Sequence, residues 1–183
     1  DDESKERVNV PKKKIFVDEM DDEDETSSQF AMSFSMDPVR IFPYSNGFES
    51  RLGWTNDRVG DDFDWNRRYD STPSSGTGPF GASEGYYYAY IEATGNTPSK
   101  RAILTSPIFD MSGLSSPEIT FDYHMYGSDI GTLYVESSTD GGASWSRIST
   151  FSGNQGYAWY PHSIFLTRNV DRVRFVGTTG PGY

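Results

Sequence analysis

Gly81-Ala82-Ser83-Glu84-Gly85 has the spacing of a nucleophile elbow, which holds a serine on a strained strand-to-helix turn for acyl transfer. The elbow needs an apolar strand before it and a helix after it. Here Gly76–Phe80 precedes it, and Tyr86-Tyr87-Tyr88, a strand signal, follows. The segment therefore reads as a turn entering a strand. The two histidines, His124 and His162, lie in no H-E-x-x-H motif, and neither has a second histidine at ligand spacing. His124 alternates outward from Tyr123 and Met125, which places it at a rim. No phosphate-binding glycine loop opens a helix anywhere in the chain. Nothing frames a nucleophile, a zinc site or an acid pair, so no hydrolase activity is expected.

The densest acidic group is Asp57, Asp61, Asp62 and Asp64, set between Trp54 and Trp65. Adjacent carboxylates repel, and a cation, a hydrogen-bond donor or open water must offset that. Calcium takes six to eight oxygens, and an Asp-rich loop can supply several of them. The EF-hand spacing is absent. The alternative is a loop whose aspartates bond their own backbone and cap strand ends. Ser138-Thr139-Asp140-Gly141-Gly142-Ala143-Ser144-Trp145 resembles the Asp-box of secreted β proteins. There Asp140 bonds the turn, the glycines supply positive φ, and Trp145 packs across the hairpin, which is a folding device.

These residues need strands to hold them. Ile119, Phe121, Tyr123 and Met125 alternate with Thr120, Asp122 and His124, the period of a half-buried strand. Tyr86–Ala93, Arg101–Ser106, Thr132–Ser137, Trp145–Phe151, Ile164–Thr167 and Val173–Val176 are further strand segments. Gly95-Asn96, Ser112-Gly113, Asp140-Gly141-Gly142 and Gly153-Asn154 are turn signals between them. No stretch keeps a helical period. With 12 Tyr, 12 Phe, 4 Trp, 18 Gly and 10 Pro, the composition is that of many short strands and many turns.

The 183 residues leave room for one ordinary domain and a remainder. The remainder is residues 1–45, where Lys12-Lys13-Lys14 is followed by Asp18-Glu19 and Asp21–Glu25. Like charges in blocks resist compaction, so an extended acidic segment is expected there. Two apolar islands, Ile15–Val17 and Phe30–Met32, interrupt it. They have the makings of strands that dock on a neighbouring surface. A net charge of −11 argues against nucleic acid and against anionic membrane surfaces. No apolar run is long enough to span a bilayer. The lack of cysteine removes disulfides and thiolate chemistry together.

The order of motifs adds a resemblance. Phe48-Glu49, Gly53-Trp54, Asp61-Asp62-Phe63-Asp64-Trp65, Thr72-Pro73 and Gly76–Pro79 are similar to the opening of a MAM domain. Gly85–Ala93, Arg101–Pro107 and Phe121–Gly127 leading to Gly131-Thr132-Leu133 continue the likeness, which runs over residues 46–183. The resemblance implies an all-β fold, a jelly-roll-like β-sandwich of two antiparallel sheets. It implies an extracellular or cell-surface, non-catalytic protein-interaction or adhesion module, commonly inside a larger protein or assembly. It also implies Glu49, Asp62 and Asp64 as ligands for calcium (Ca2+). Tyr126, Trp159 and Tyr160 are candidates for the ligand or partner surface. The partner is expected to be a protein on the cell surface, with glycan as the alternative if the module serves a secreted hydrolase. Two departures stand out. Animal members carry cysteines, so a bacterial secreted protein is favoured here. The family also has one more closing strand after the Gly-Pro-Gly turn that follows Val173–Gly177, and the sandwich is expected to lack it.

Overall fold

The computed structural model describes residues 38, 39, 41–96 and 98–181, all within one compact unit, Ser35–Tyr183. The islands Ile15–Val17 and Phe30–Met32 lie outside the described residues, as does nearly all of the acidic segment. Nine strands and no helix are found among the described residues.

The strands are β1 (Thr55–Asn56), β2 (Asn66–Arg68), β3 (Tyr88–Tyr90), β4 (Arg101–Thr105), β5 (Glu118–Tyr123), β6 (Thr132–Ser138), β7 (Ser146–Ser152), β8 (Tyr160–Phe165) and β9 (Arg172–Thr178). One antiparallel sheet has the order β1-β4-β9-β6-β7. The layer facing it is split into two antiparallel ribbons, β2-β3 and β5-β8. The fold is thus the expected all-β sandwich, with its second layer in two pieces.

Hydrophobic alternation sets the register. Along β5, Glu118, Thr120 and Asp122 are exposed while Ile119, Phe121 and Tyr123 turn inward. Phe121 meets Phe175 of β9 edge-to-face at 5.0 Å and Phe151 of β7 at 6.2 Å, which ties the β5-β8 ribbon to the five-stranded sheet. On the other side, Trp65 donates its indole N–H to Ala102 O at 3.0 Å. Gly177 of β9 has no side chain, which leaves room for Ile91; a Cβ there would stand 2.8 Å from Ile91 Cδ1. Val135, Val173 and Phe109 centre the core, with Ile119 and Ile164 packed against them. Val39 and residues 41–44 also join the sandwich. Val39 N donates to Ile108 O at 2.7 Å, and Tyr44 packs edge-on against Phe109 at 5.1 Å.

The expected Ile164–Thr167 strand begins earlier, at Tyr160, because Pro161 is accepted within β8 opposite Asp122. A proline sits in a ladder only where its missing N–H points away from the partner strand. Pro161 therefore blunts the outer edge of the ribbon. The strands β1 and β2, two and three residues long, are too short to leave a period in the sequence.

Candidate interaction surface

Two loops converge beside the β5-β8 ribbon. One is the stretch between β2 and β3 that carries Phe80 to Tyr87; the other joins β7 to β8 and carries Asn154 to Trp159. Trp159 joins them by donating its Nε1–H to Gly81 O at 2.9 Å, with its ring edge-on to Tyr88 at 5.8 Å. The second loop is held further by Gln155 N donating to Met125 O at 2.7 Å and by His124 Nε2 against Tyr157 O at 3.1 Å. The first is anchored where Tyr86 N and Tyr87 N both donate to Glu49 Oε1, at 2.9 and 3.1 Å. Thr77 Oγ1 donates to Tyr126 O at 2.6 Å and closes the base.

On this fixed frame three large rings stand in solvent: Phe80 is 93% exposed, Tyr157 79% and Tyr86 77%. Around them the chain is small, polar and glycine-rich, with no charge between Ser152 and Tyr160. Isolated exposed apolar residues are ordinary, but rings carried on two pinned loops form a surface a partner can use.

Of the three aromatic residues singled out from sequence, Trp159 and Tyr126 are half-buried and hold the loops. Tyr160 is 36% exposed, and its ring lies 5.8 Å from Tyr123. All three support the surface more than they present it. The residues that present it escaped sequence reasoning. Their signal was aromatic side chains flanked by glycine within turns, Phe80-Gly81, Gly85-Tyr86 and Gly156-Tyr157, at positions outside any alternating strand.

Trp159→Phe keeps the packing but loses the hydrogen bond to Gly81 O. It is expected to cost about 0.5–1.5 kcal/mol, and amide exchange should quicken in both loops together, not in the second alone.

Burial lowers the pKa of His124, opposed by its bond to the Tyr157 carbonyl, so the imidazole stays neutral at physiological pH. Its ring lies 5.4 Å from that of Trp159, and its buried Nδ1 has no hydrogen-bond partner among the described residues. His162 is packed among Phe121, Tyr123 and Phe151 at 4.9–6.4 Å. Both histidines are thus engaged in packing. Ser83 sits in an irregular loop that leads into β3, with no helix after it.

The acidic residues are separately engaged. Glu49 receives the two backbone N–H groups just named, which lower its pKa, and a side chain at Gly85 would collide with it. Arg67 donates to the carbonyls of Phe48 and Glu49 and stacks on Tyr87. Asp62 accepts from Arg101 N at 2.8 Å and pairs with Lys100 at 3.0 Å, so its pKa is also lowered. Asp57 faces Arg174 at 3.8 Å. Asp64 is exposed. Glu49, Asp62 and Asp64, expected as one calcium shell, are not gathered: no group of three His, Cys, Asp or Glu residues among the described ones stands where it could hold a metal ion. The strand-capping alternative describes Asp62 well.

Asp61 and Asp140 make a contrasting pair. Burial first, and the charge of Asp64 second, push the Asp61 carboxyl up, and its buried Oδ2 has no partner among the described residues. Asp140 is pulled down to about 2. Ser144 donates to it from both Oγ (2.5 Å) and backbone N (2.8 Å), and Ser138 Oγ adds a third bond at 2.8 Å. Gly141 and Gly142 take the positive φ values of 71° and 97° that this turn requires.

Opposite pH behaviour follows. A lowered folded-state pKa gives stability that is present above the unfolded value of 3.8 and lost as pH falls toward 2. Asp140→Ala is therefore expected to lower the melting temperature at pH 7, and the difference from wild type should shrink between pH 4 and 2. A raised pKa means stability is lost as pH rises through it, so Asp61→Asn should raise the melting temperature at pH 7. Melting curves at pH 2, 4 and 7 check both signs.

The architecture defines the class first: an antiparallel β-sandwich module with three large rings exposed on its loops. The chain belongs to the MAM domain family (MAM domain, meprin/A5/mu), whose model matches residues 47–183. It is 33% identical over 145 residues to human MAM domain-containing glycosylphosphatidylinositol anchor protein 1, which covers 74% of this chain and 15% of that protein. It is 35% identical over 133 residues to Neuropilin-1a of Danio rerio, covering 65% of this chain and 14% of that protein. Human MAM domain-containing protein 2 is 36% identical over 98 residues, covering 52% and 14% respectively. The chain thus spans only about one seventh of the length of these relatives. Among solved structures, the K1 cleaved adhesin domain of Lys-gingipain from Porphyromonas gingivalis W83 aligns with a TM-score of 0.47 at 16% identity, over 70% of this chain and 82% of that one.

Proposed function

We propose that this chain is a non-catalytic, extracellular protein-interaction module within a larger secreted or cell-surface protein, and that it meets its partner through the two-loop aromatic surface. The observation that carries this reading is the trio Phe80, Tyr86 and Tyr157, exposed on loops that Trp159 and Glu49 fix in place. Tyrosine, serine, glycine and asparagine are the residues binding loops use most, because the rings give large contact area at low entropic cost and the small polar residues adapt around them. Pre-anchoring the loops removes part of the ordering cost of association. Membership of the MAM family, and relatives named as glycosylphosphatidylinositol anchor proteins, support an extracellular setting.

The experiment is binding of the labelled chain to intact cells that bear natural partners. Phe80→Ser combined with Tyr157→Ser should reduce binding at least about tenfold, since each central aromatic contact is worth about 2 kcal/mol or more. Mild proteolysis of the cells should abolish binding and enzymatic deglycosylation should not. The reverse pattern would favour a glycan-binding accessory domain, and unchanged binding by the double variant would refute the surface.

A further inference from the structure

Residues 46–53 form a corner that braces the loop 80–87 from outside it. Asn46 Nδ2 donates to Leu52 O at 2.6 Å, and Asn46 Oδ1 accepts from Phe48 N at 3.1 Å. Phe48 is held at a φ of 60°, where a bulky side chain is rare, and Gly53 at 69°. A Cβ on Gly53 would stand 3.0 Å from Asn46 Nδ2, so the amide is packed into the corner as well as bonded to it.

The corner reaches the loop by two routes. The carbonyls of Phe48 and Glu49 accept from Arg67, whose guanidinium stacks on Tyr87. Glu49 Oε1 accepts from Tyr86 N and Tyr87 N, at 2.9 and 3.1 Å. The exposed ring of Tyr86 therefore depends, through Glu49, on a turn that one amide side chain closes.

Asn46 is followed by glycine, and that pair can react with itself. Gly47 has no Cβ to shield its nitrogen, it is exposed, and its N–H makes no hydrogen bond among the described residues. The nitrogen gives its proton to solvent base and bonds to Asn46 Cγ; the Cγ–Nδ2 bond breaks and ammonia leaves. Water then opens the cyclic imide at either carbonyl, which gives aspartate or isoaspartate. The side-chain bonds to Leu52 and Phe48 must open first, so the folded chain reacts more slowly than a free peptide.

Neither product fits the corner. An ionised carboxylate is an acceptor only, and its oxygen would face Leu52 O with no hydrogen between them. Isoaspartate in addition carries the main chain through the former side chain, which adds a methylene ahead of the Phe48 turn.

We propose that Asn46-Gly47 is a spontaneous deamidation site, and that its conversion opens the corner and releases the loop 80–87. Release of the loop follows from the contacts of the corner alone. The loss of partner binding with age that it brings rests on the proposed function.

The test ages the full chain at mildly alkaline pH and follows position 46 by mass spectrometry of the tryptic peptide 41–51. Wild type should convert to a mixture of aspartate and isoaspartate. Gly47→Ala is the control, because its new Cβ meets nothing nearer than Glu49 Cγ at 3.8 Å. That variant should melt as wild type does and keep its Asn46 amide over the same period. Aged wild type should lose protection from amide exchange at Tyr86 and Tyr87 while β6 and β9 stay protected, and aged Gly47→Ala should not. Freshly made Asn46→Asp should show the same local loss without ageing; should it not fold, the aged wild type carries the comparison. Binding to cells should fall with age in wild type only. Loop release without loss of binding would uphold this inference and refute the proposed surface, so the two fail separately. The proposal is overturned if Asn46 persists in the folded chain while the isolated 41–51 peptide converts fully. It is equally overturned if conversion leaves the exchange of Tyr86 and Tyr87 unchanged.

Discussion

Arg174→Met is expected to destabilise the folded chain by about 3–5 kcal/mol, read as a lowered midpoint of urea unfolding with unchanged slope. The guanidinium, 15% exposed, donates to Glu136 Oε2 at 2.7 and 2.8 Å, faces Asp57 at 3.8 Å and lies over the Trp145 ring at 4.2 Å. Glu136 is buried in the middle of β6, 10% exposed at its side chain. Removing its partner leaves a largely buried charge without its main counter-ion. Arg147, at 3.6 Å and half in solvent, offers only a weak substitute. A small domain holds about 5–15 kcal/mol in all, so much of the margin goes. The double replacement Arg174→Met with Glu136→Leu should recover most of the loss, because it removes both charges and leaves apolar groups of similar volume. Failure of the double variant to recover would show that the network contributes through its geometry and not through mutual neutralisation.

Phe121→Ala is the second large effect, expected at about 3–5 kcal/mol. Phe121 touches Tyr123, Phe151, His162 and Phe175, with centroids 5.0–6.5 Å apart, and it is one of the rings through which the β5-β8 ribbon rests on the five-stranded sheet. Truncation removes edge-to-face contacts and leaves a void between layers that pack through large rings. Phe121→Leu should cost less than half as much. Denaturation by urea measures both, and amide exchange should show the loss concentrated in β5 and β8.

The parts of this molecule legible from sequence are those where one residue's neighbours decide its state. The alternation Ile119, Phe121, Tyr123 fixed β5, because a period of two on a half-buried strand is a local property. The Asp140-Gly141-Gly142 turn was legible for the same reason, since the hydrogen bonds to Asp140 come from Ser138 and Ser144. What escaped depends on distant pairing. The division of the second layer follows from which strands find each other across long intervals, such as β5 with β8, and no local pattern carries it. Asp57, Asp61, Asp62 and Asp64 were grouped by closeness in sequence and Glu49 joined them through the family resemblance, whereas Asp62 is committed to Arg101 and Lys100, and Glu49 to Tyr86 and Tyr87. Of the aromatic candidates, Trp159 and Tyr126 are half-buried and Tyr160 lies at the surface. Tyr126, Trp159 and Tyr160 were singled out as rings able to stack on a ligand, and each has ring neighbours to pack on. Phe80, Tyr86 and Tyr157, the exposed rings of the two loops, each stand beside glycine.

The central claim is that the two aromatic loops are the partner-binding surface, and one measurement tests it most directly. A photo-reactive phenylalanine analogue is placed at position 157 in the parent protein, and in a second sample at position 59, where Val59 is 86% exposed outside the two loops. Both are illuminated on intact cells. The account predicts a cross-linked polypeptide from position 157, lost when excess unlabelled wild-type chain competes but retained against excess Phe80→Ser, Tyr157→Ser chain, and no such adduct from position 59. Equal adducts from both positions, or competition by the double variant as effective as by wild type, would contradict it.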